Sequence, residues 1–521
     1  MAEKPIVIAG AGMGGLAAAV ALSAAGRKVL IVEAQGHAGG KIRTLDAGGR
    51  AIDAGPTVLT MRWVFERILA DAGAALSDHV TLVRAERLAR HAWPDGGRLD
   101  LHADLEQSAE AIGRFAGASE AEGFRSFSAR AKAVYETLRE SFIAGERAGP
   151  VALSTRVGLT RLSDLTRMAP FTTLARLLEG YFADPRLRQL FGRYATYCGS
   201  SPFLAPATLM LVAQAEREGV WLVSGGMRSI AEAFRDLALA QGAEFRFDRR
   251  VERIIARGGR AAAVVTDDGA EIEADAVIWN GDVNALADGS LGPDASRAVA
   301  GTAPRDRSLS ALTWAMSART EGFPLLRHTV FFSPDSRAEF DAIFRRGELP
   351  AAPTVYVCAQ DRGGSDGAAP PGPEQLFVLA NAPARAPNHP LTEAEIAACQ
   401  NATFLALKRC GLTITPEPGA AIRTIPEDFA RLFPSTGGAL YGRATHGWNA
   451  AFSREGARSR LPGLYLAGGS VHPGPGVPMA ALSGRQAALA VMRDRDSISP
   501  SRRAVMRGGT STRSARTDAT L

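Results

Sequence analysis

The chain begins with glycines whose spacing suits the binding of a phosphate-bearing nucleotide. Gly10, Gly12, Gly14 and Gly15 directly follow the apolar run Ile6–Ala9 and precede an alanine-rich helical segment. In such a turn the first glycine allows a tight bend, the second lets the backbone approach a pyrophosphate, and the last lets helix and strand pack closely. The free N–H groups at the start of the helix then hold the phosphates.

A carboxylate lies at the end of the next apolar run. Residues 28–32 read as a second buried strand, and Glu33 follows them at once. A carboxylate at this point accepts hydrogen bonds from ribose hydroxyls. Strand, glycine turn, helix, strand and acid together form a βαβ dinucleotide-binding unit. The sequence therefore predicts an α/β fold with a Rossmann-like cofactor domain, and a redox enzyme.

Two further segments indicate which dinucleotide is bound. Gly40, Lys41 and Arg43 belong to a second glycine-rich, cationic turn, and the turn Gly55, Pro56, Thr57 follows a little later. Simple nicotinamide dehydrogenases need neither segment. Both resemble the second signature of the large FAD family that includes amine oxidases, carotenoid desaturases and the Rab escort proteins.

This resemblance implies FAD as the cofactor and gives these segments roles. The twin glycines and the cations Lys41 and Arg43 are expected to wrap the ribityl-pyrophosphate, and Gly55–Thr57 to lie near the isoalloxazine ring. His37 stands where the family often has an arginine. The segment around Val251 is expected to offer backbone groups to the adenine.

A third glycine turn lies near the C-terminus. Gly468, Gly469 and Ser470 end a short apolar strand, and a helix begins near Val477, Pro478 and Met479. Proline suits the first turn of a helix, where its missing N–H costs nothing. The positive end of the helix dipole would favour an anionic reduced flavin beside it.

This C-terminal segment closely resembles the signature of the bacterial-type carotenoid desaturases, the phytoene desaturase family. Further matches are Asp184–Arg188, Tyr197–Pro202, Glu218–Trp221 and Ala369–Gly372, so the resemblance covers nearly the whole chain up to about residue 496. Many oxidoreductases have Gly-Asp where Gly469-Ser470 stands here. The sequence of residues 468–485 is most similar to that of the branch that acts on 1-hydroxy or 1-methoxy acyclic carotenoids.

The resemblance implies an activity and a set of partners. The expected reaction is FAD-dependent introduction of a C3–C4 double bond into hydroxyneurosporene or methoxyneurosporene, by hydride transfer to flavin. The carotenoid would be delivered from a membrane, and oxygen or a quinone would accept the electrons. Asp164 and Arg167 fall where the family has a proposed acid–base pair, although an i,i+3 surface pair is the alternative.

Length and composition limit the remaining possibilities. At 521 residues, with 46% hydrophobic and 22% charged residues, the chain is expected to fold into more than one structural unit. Of the net charge of +6, five arginines and one aspartate after residue 496 contribute +4, which predicts a disordered basic tail at 497–521. No basic face with interleaved aromatics indicates nucleic acid.

The predicted localisation is cytoplasmic, at the cytoplasmic face of the inner or photosynthetic membrane. The first strand begins too early to leave room for a signal peptide, and no apolar run is long enough to span a bilayer. The four cysteines have neither CxxC nor metal-ligand spacing, so no metal is expected. Residues 156–178 suit an amphipathic helix pair, which either lies on a membrane surface or packs on the core.

The cofactor domain is predicted to be discontinuous, built from residues 1–85, 216–284 and 456–496. Residues 86–215, expected to be helical, and residues 285–455, expected to be rich in strands, would form the substrate and membrane-contact domain. Other activities stay open at this point: a phytoene desaturase, a flavin-dependent carotenoid isomerase, an amine oxidase, or a non-catalytic binder of the escort type.

Overall fold

The chain contains both helices and strands, and the strands form parallel as well as antiparallel sheets. The computed structural model describes residues 4–157, 168–363, 367–386 and 389–498, and every structural statement below concerns these residues. Its strands are β1 (Ile6–Ala9), β2 (Val29–Val32), β3 (Thr44–Asp46), β4 (Ala51–Asp53), β5 (Leu82–Arg84), β6 (Arg87–Ala92), β7 (Arg98–His102), β8 (Trp221–Val223), β9 (Glu244–Arg246), β10 (Val251–Arg257), β11 (Arg260–Thr266), β12 (Glu271–Glu273), β13 (Ala276–Trp279), β14 (Ser310–Glu321), β15 (His328–Phe331), β16 (Val355–Ala359), β17 (Glu374–Ala382), β18 (Thr413–Thr424) and β19 (Leu464–Leu466).

The helices vary from one turn to six. They are α1 (Met13–Ala24), α2 (Arg62–Asp71), α3 (Leu105–Ala116), α4 (Ala118–Leu138), α5 (Pro150–Val157), α6 (Leu174–Leu178), α7 (Pro185–Gly192), α8 (Leu211–Glu218), α9 (Arg228–Ala240), α10 (Asn284–Ala287), α11 (Ser336–Asp341), α12 (Glu393–Arg409), α13 (Pro426–Leu432) and α14 (Val477–Ile498).

A parallel five-stranded sheet, ordered β19-β13-β1-β2-β9, forms the centre of the cofactor-binding part. Strands β1 and β2 are buried along their whole length because both faces of a parallel sheet are covered. Ile8 and Ile31 pack with helices on one face, whereas Val7 and Leu30 pack with β10 and β11 on the other. The carboxyl ends of β1, β2, β13 and β19 meet at one edge, which is where such sheets bind ligands.

A second sheet of seven strands runs in the order β18-β14-β17-β16-β15-β6-β7 and is mostly antiparallel. Its two faces differ in what they contact. Trp314, Val357 and Val378 share a cluster with residues of α12 on one face. Ala315 and Phe377 on the other face cluster with residues 47–54 of the cofactor-binding part. The second face therefore looks toward the first sheet.

Helix α1, which follows the first glycine turn, lies against the C-terminal helix α14 at very short range. A Cβ built on Gly484 would lie 1.9 Å from the carbonyl oxygen of Gly14. Only glycine allows this backbone approach. The contact fixes the start of α14 beside the first glycine turn, although the two segments are separated by most of the chain.

Most predicted elements are confirmed with shifts of a residue or two, but one region differs. The sequence predicts a helix at residues 228–240, and the structure has α9 there. It also predicts a hairpin at residues 260–273, which the structure has as β11 and β12. Residues 86–215, expected to be helical, instead begin with β6 and β7. These strands add to the edge of the second sheet through the pairing of β6 with β15. Sequence periodicity alone does not reveal such a distant partner.

Candidate functional site

The first glycine turn is held by close backbone contacts at the carboxyl edge of the parallel sheet. Gly10 has a φ of +105°, and a Cβ on Gly15 would lie 2.1 Å from its carbonyl oxygen. A Cβ on Gly14 would lie 2.7 Å from the backbone nitrogen of Gly468. The amide of Asn280, just beyond β13, donates to the Gly10 carbonyl at 3.0 Å. The turn therefore admits no larger residue at these positions.

The second glycine turn lies directly against the first. Gly12 and Gly39 form a parallel bridge, and the Gly39 N–H donates to the Ala11 carbonyl at 2.9 Å. A Cβ on Gly40 would lie 3.1 Å from the Cα of Gly12. Gly10, Gly12 and Gly40 nevertheless keep accessible surface. They form a shallow backbone cradle at the start of α1, which a Cβ would fill and which fits a pyrophosphate.

Glu33 lies where the prediction requires an acid, at the end of β2 beside the cradle. Its carboxylate accepts hydrogen bonds from the N–H of Ala11 at 2.6 Å and of Gln35 at 2.8 Å. Its own carbonyl accepts from the Arg249 N–H at 2.9 Å. This last bond brings the start of β10, and with it Val251, close to Glu33. The predicted ribose and adenine contacts are therefore neighbours in space.

The two cations of the second turn have different surroundings. Lys41 donates to the Leu440 carbonyl, and burial lowers its pKa, an effect that Asp282 partly offsets. Arg43 donates to Thr424 Oγ1 at 2.9 Å and to the Ala54 carbonyl at 3.2 Å. Arg43 thus joins the cofactor-binding part to strand β18. Both cations hold protein groups as well as lying beside the cradle.

The turn predicted to lie near the flavin ring is pressed against Lys41. A Cβ on Gly55 would lie 2.0 Å from the Lys41 carbonyl oxygen. Pro56 and Thr57 keep accessible surface, and Thr57 Oγ1 lies 2.7 Å from the Tyr356 hydroxyl of β16. This turn therefore forms the boundary between the cofactor cradle and the second sheet.

The C-terminal signature completes the same edge. The Gly468 N–H donates to Ser483 Oγ at 2.8 Å, which ties the turn after β19 to α14. Ser470 Oγ accepts from the Val283 N–H at 3.3 Å. Helix α14 begins at Val477, followed by Pro478 and Met479, with no acidic residue in its first turn. Gly469 and Met479 keep accessible surface toward this region.

The structure brings most of the predicted cofactor residues together and leaves the predicted acid–base pair undescribed. The cofactor residues lie at the carboxyl edge of the parallel sheet or immediately beside it. Asp164 and Arg167 lie outside the described residues, and their roles stay predictions. Residues 158–167 of the predicted amphipathic pair and residues 499–521 of the basic tail also lie outside the described residues. In the described part of the pair, α5 ends at Val157 and α6 begins at Leu174, so residues 168–173 are not helical as predicted.

Sequence reasoning missed a group of buried charges next to the cradle. Arg454 donates to the carbonyls of Arg443, Tyr441 and Gly469, and burial lowers its pKa to about 10. Burial raises the pKa of Asp282, which Lys41 and Arg454 partly counteract. Asn280 was also missed, although a polar residue that directly follows a buried strand was the available signal.

Two histidines near the C-terminal signature, His446 and His472, hold backbone groups. His446 Nε2 accepts from the Ser201 N–H at 3.0 Å, and His472 Nε2 lies 3.0 Å from the Gly145 carbonyl. Burial lowers the pKa of each to about 4, so both rings are neutral near pH 7. These contacts favour the structural interpretation for both. Within the described ranges no group of three or more His, Cys, Asp or Glu side chains could hold a metal ion.

An open cavity of about 170 Å³ lies on the face of the second sheet that looks toward the cofactor cradle. Its sixteen lining residues include three phenylalanines and nine polar or charged residues, among them Phe332, Phe340, Arg193, Thr354 and Asn381. The buried carboxyl of Glu339 also borders it, and burial raises the pKa of this group to about 7.

Comparison with known proteins agrees with this arrangement. Residues 13–492 match the family described as flavin containing amine oxidoreductase. Two solved structures share the fold: an oxidoreductase from Methanosarcina mazei, with a TM-score of 0.57 at 17% identity, and a mutant of putrescine oxidase, with a TM-score of 0.58 at 14% identity. Each comparison covers 94% of this chain, together with 100% and 99% of the other chain, respectively.

Relatives of known function are much more similar. The chain is 52% identical to a hydroxyneurosporene desaturase of Rubrivivax gelatinosus, over 98% of both chains. It is 44% identical to the hydroxyneurosporene desaturase of Rhodobacter capsulatus, over 95% of this chain and 98% of the relative. A 1-hydroxycarotenoid 3,4-desaturase of a Flavobacterium species is 31% identical over 92% of this chain and 98% of the relative. The chain therefore belongs to the flavin containing amine oxidoreductase family and, within it, to the carotenoid desaturases, which are FAD-dependent oxidoreductases.

Proposed function

We propose that this enzyme introduces a C3–C4 double bond into 1-hydroxy or 1-methoxy acyclic carotenoids. The observation that carries the proposal is the identity of 44% to 52% with three hydroxyneurosporene desaturases over nearly the whole chain. The reaction removes one hydride and one proton from adjacent carbons. When bound, FAD supplies the hydride acceptor at its N5 atom.

The chain's own residues would bind and orient the cofactor. The backbone of Gly10, Gly12 and Gly40 would hold the pyrophosphate, and Glu33 the ribose. The absence of any acidic residue in the first turn of α14 supports a role for that helix end in stabilising negative charge on the ring. The buried charges of Lys41, Asp282 and Arg454 lie at the same edge.

Desaturation of an allylic C–H bond needs little from acid–base residues. Loss of hydride beside a long polyene leaves a delocalised cation, from which a proton departs readily. The requirement is a dry channel that positions the carotenoid. Three phenylalanines, Phe203, Phe332 and Phe340, line part of the 170 Å³ cavity and would offer apolar contacts. Asp164 remains our candidate for accepting the proton, with Arg167 as the cationic partner of the predicted acid–base pair.

The division into a discontinuous cofactor domain and a substrate domain is part of the proposal. Strand β5 at residues 82–84 pairs with β8 at 221–223, and the next strand, β6, joins the second sheet. This connectivity supports boundaries near 85 and 216. Oxygen or a membrane quinone would take the electrons, and the carotenoid would come from a membrane at the cytoplasmic face.

The decisive experiment is anaerobic bleaching of the flavin in the purified FAD-loaded protein. Hydroxyneurosporene and phytoene are offered separately in liposomes, and the carotenoid products are identified by absorbance and mass. We expect bleaching only with hydroxyneurosporene, and a product with a longer polyene. Bleaching by phytoene would move the enzyme to an earlier desaturation, and isomerisation without bleaching would replace the proposal with an isomerase.

A further inference from the structure

Two neighbouring strands of the second sheet form one wall of the 170 Å³ cavity. Thr354 directly precedes β16, and Asn381 lies on β17. Val355 pairs with Ala380 in the antiparallel ladder, so Thr354 and Asn381 lie opposite each other at the next position. Asn381 points to the same face as Phe377, four residues earlier, because side chains alternate along a strand. This wall therefore looks toward the cofactor-binding part.

Arg193 lines the same cavity and is a cation there. Although burial lowers the pKa of its guanidinium, the nearby Tyr197 and Glu216 raise that pKa above the usual value. The Glu216 carboxylate accepts hydrogen bonds from the hydroxyls of Tyr194 and Tyr197. The Arg193 guanidinium lies 5.6 Å from the centroid of the Tyr197 ring. Among the described residues, Arg193 forms no ion pair with a carboxylate.

Two polar side chains of the lining are available to a ligand. In the part of the chain that the structure describes, the Arg193 guanidinium donates to no carboxylate or backbone carbonyl, and the Asn381 amide has no hydrogen-bond partner. Both side chains are half-buried, and none of their polar atoms is both sealed from solvent and unpaired. Their unpaired atoms therefore keep accessible surface at the cavity. A guanidinium offers five N–H donors, and an amide both donates and accepts.

The cavity suits a neutral polar group better than an ion. Its charged lining residues are two arginines and two glutamates, so the lining carries little net charge: Arg188, Arg193, Glu179 and Glu339. The two Glu339 oxygens accept hydrogen bonds from the N–H and the hydroxyl of Thr354, at 2.9 and 2.7 Å. A volume of 170 Å³ holds roughly a dozen water molecules, which is room for an end group but not for a whole carotenoid.

Tyr356 connects the cavity with the turn predicted to lie near the isoalloxazine ring. The Arg193 guanidinium lies 5.7 Å from the centroid of the Tyr356 ring. The hydroxyl of the same tyrosine lies 2.7 Å from Thr57 Oγ1. One tyrosine side chain therefore separates Arg193 from the Gly55–Thr57 turn.

We propose that Arg193 and Asn381 bind the oxygen on C1 of the carotenoid and thereby select oxygenated end groups. This inference rests on the proposed function. Only C2 separates the oxygen-bearing C1 from the reacting C3, so the oxygen must bind close to the flavin ring. A cavity one tyrosine side chain away from the Gly55–Thr57 turn meets this requirement. The long polyene lies on the other side of the reacting bond and needs no room in this cavity.

The two side chains recognise the oxygens differently. Arg193 can donate to a hydroxyl oxygen and to a methoxy oxygen. Only a hydroxyl can in turn donate to Asn381 Oδ1. A carotenoid end without oxygen would displace water from both side chains and leave them unpaired, so the enzyme would discriminate against it.

Arg193→Met removes the donors and keeps an unbranched side chain. We expect it to lower kcat/KM for hydroxyneurosporene and methoxyneurosporene about 10- to 100-fold relative to neurosporene. Arg193→Lys keeps one charged donor group and should retain part of the preference, and it carries the test if the methionine variant does not fold. Arg188→Met is the matched control, because this arginine lines the same cavity but already donates to the Ala183 carbonyl at 3.1 Å.

Asn381→Leu tests the acceptor separately. Leucine is close to asparagine in size and has no polar side-chain atom. The variant should lower kcat/KM for hydroxyneurosporene about tenfold and leave that for methoxyneurosporene nearly unchanged, because only the hydroxyl donates to the amide oxygen. An equal loss for both carotenoids would overturn Asn381 as the acceptor.

Binding gives a readout independent of turnover. Quenching of tryptophan fluorescence by the polyene measures the dissociation constants of the FAD-loaded protein for hydroxyneurosporene and neurosporene without oxygen. We expect the preference for the hydroxylated carotenoid to fall in Arg193→Met and to persist in Arg188→Met. An unchanged preference in folded Arg193→Met, or an equal fall in Arg188→Met, would overturn the role of Arg193 while leaving the proposed function intact. Failure of the wild-type protein to desaturate either oxygenated carotenoid would overturn both.

Discussion

At the scale of single residues, the cofactor site depends on positions where no side chain fits. Gly14 illustrates this, because its carbonyl lies against Gly484 and its own Cα lies against the Gly468 backbone. The N-terminal glycine pattern predicts that residue 14 is a glycine, but it does not identify the two distant segments that Gly14 contacts. Gly484 has no place in any nucleotide-binding signature, yet it sets how closely α14 approaches α1.

We therefore expect Gly484→Ala to lower the free energy of unfolding by about 1–3 kcal/mol and to weaken FAD retention. The added methyl group would meet the Gly14 carbonyl 1.9 Å away, so α14 must shift. Gly113→Ala is the matched control, since this helical glycine has only an ordinary contact at 3.6 Å. That control should stabilise the protein by roughly 0.5–1 kcal/mol. Urea unfolding and flavin absorbance after gel filtration measure both effects, and equal behaviour would refute the packing explanation.

At the scale of elements, the start of α14 is the feature most closely tied to flavin chemistry. The helix is long, its first turn has no acidic residue, and its strand-turn connection from β19 is held by the bond between Gly468 and Ser483. A long helix with an uncompensated N-terminus favours negative charge nearby. This is the expected environment for a reduced, anionic flavin.

Met479→Glu should lower the midpoint potential of the bound flavin, because a carboxylate in the first turn disfavours the anionic reduced ring. An electrostatic effect of roughly 1 kcal/mol corresponds to about 20 mV for a two-electron couple. Met479→Gln, which has the same shape and no charge, is the control. Potentiometric titration against a reference dye measures the shift. Identical potentials in the two variants would place the helix end away from the ring.

At the scale of the whole molecule, three buried histidines and the half-buried His446 link stability to pH. Burial lowers the pKa values of His91 and His328 to about 3 and those of His446 and His472 to about 4. Because the folded-state pKa lies below the unfolded value of 6.5, protonation favours the unfolded chain. The stabilising effect is complete above pH 6.5 and is lost as pH falls toward the folded pKa. Glu339, with its pKa raised to about 7, acts in the opposite direction.

One substitution isolates a single histidine from these opposing effects. In His446→Gln the amide oxygen can accept the Ser201 N–H in place of Nε2. The variant should therefore lose less stability than the wild-type protein between pH 7.5 and pH 5.5, by roughly 1 kcal/mol. Urea unfolding at both pH values gives the difference. Parallel losses in the two proteins would show that the pKa of His446 is the same in the folded and unfolded states.

The surface of the molecule carries a patch that suits the proposed membrane contact. Phe171 is 81% exposed and Trp448 46% exposed, and their ring centroids lie 5.6 Å apart. Val151, 83% exposed, is a further large apolar residue at the surface. The helices of the described residues are too short or too polar to cross a bilayer. An exposed aromatic pair of this kind suits an interfacial site.

Replacing both aromatic residues, Phe171→Ser with Trp448→Ser, should weaken partition into liposomes about tenfold, because less apolar surface enters the lipid. Leu405→Ser removes another exposed apolar side chain, from α12, and serves as the control. Flotation on a density gradient with anionic vesicles measures the bound fraction. Equal flotation of the variant and the wild-type protein would exclude this patch as the contact surface.

What the sequence determined by itself was the local chemistry of the cofactor site. Gly10–Gly15, Glu33 and Gly39–Thr44 form signatures because a tight turn, a backbone cradle and a ribose acceptor each need particular residue types at short spacing. Amphipathic and apolar runs likewise predicted α9, β11, β16 and β17. These features depend on residues that are close together in the chain, and they can therefore be predicted from the sequence.

The tertiary structure decided which distant residues meet. Asn280, Arg454 and Gly484 reach the cradle only because β13 pairs with β1, β19 pairs with β13, and α14 packs on α1. The pairing of His328 with Tyr356, and of both with Thr57, depends on strand order in the seven-stranded sheet and on how that sheet faces the cofactor edge. Pairing between remote strands is set by burial of a shared face rather than by local sequence. The polar chain of Thr57, Tyr356 and His328 therefore became visible only in three dimensions.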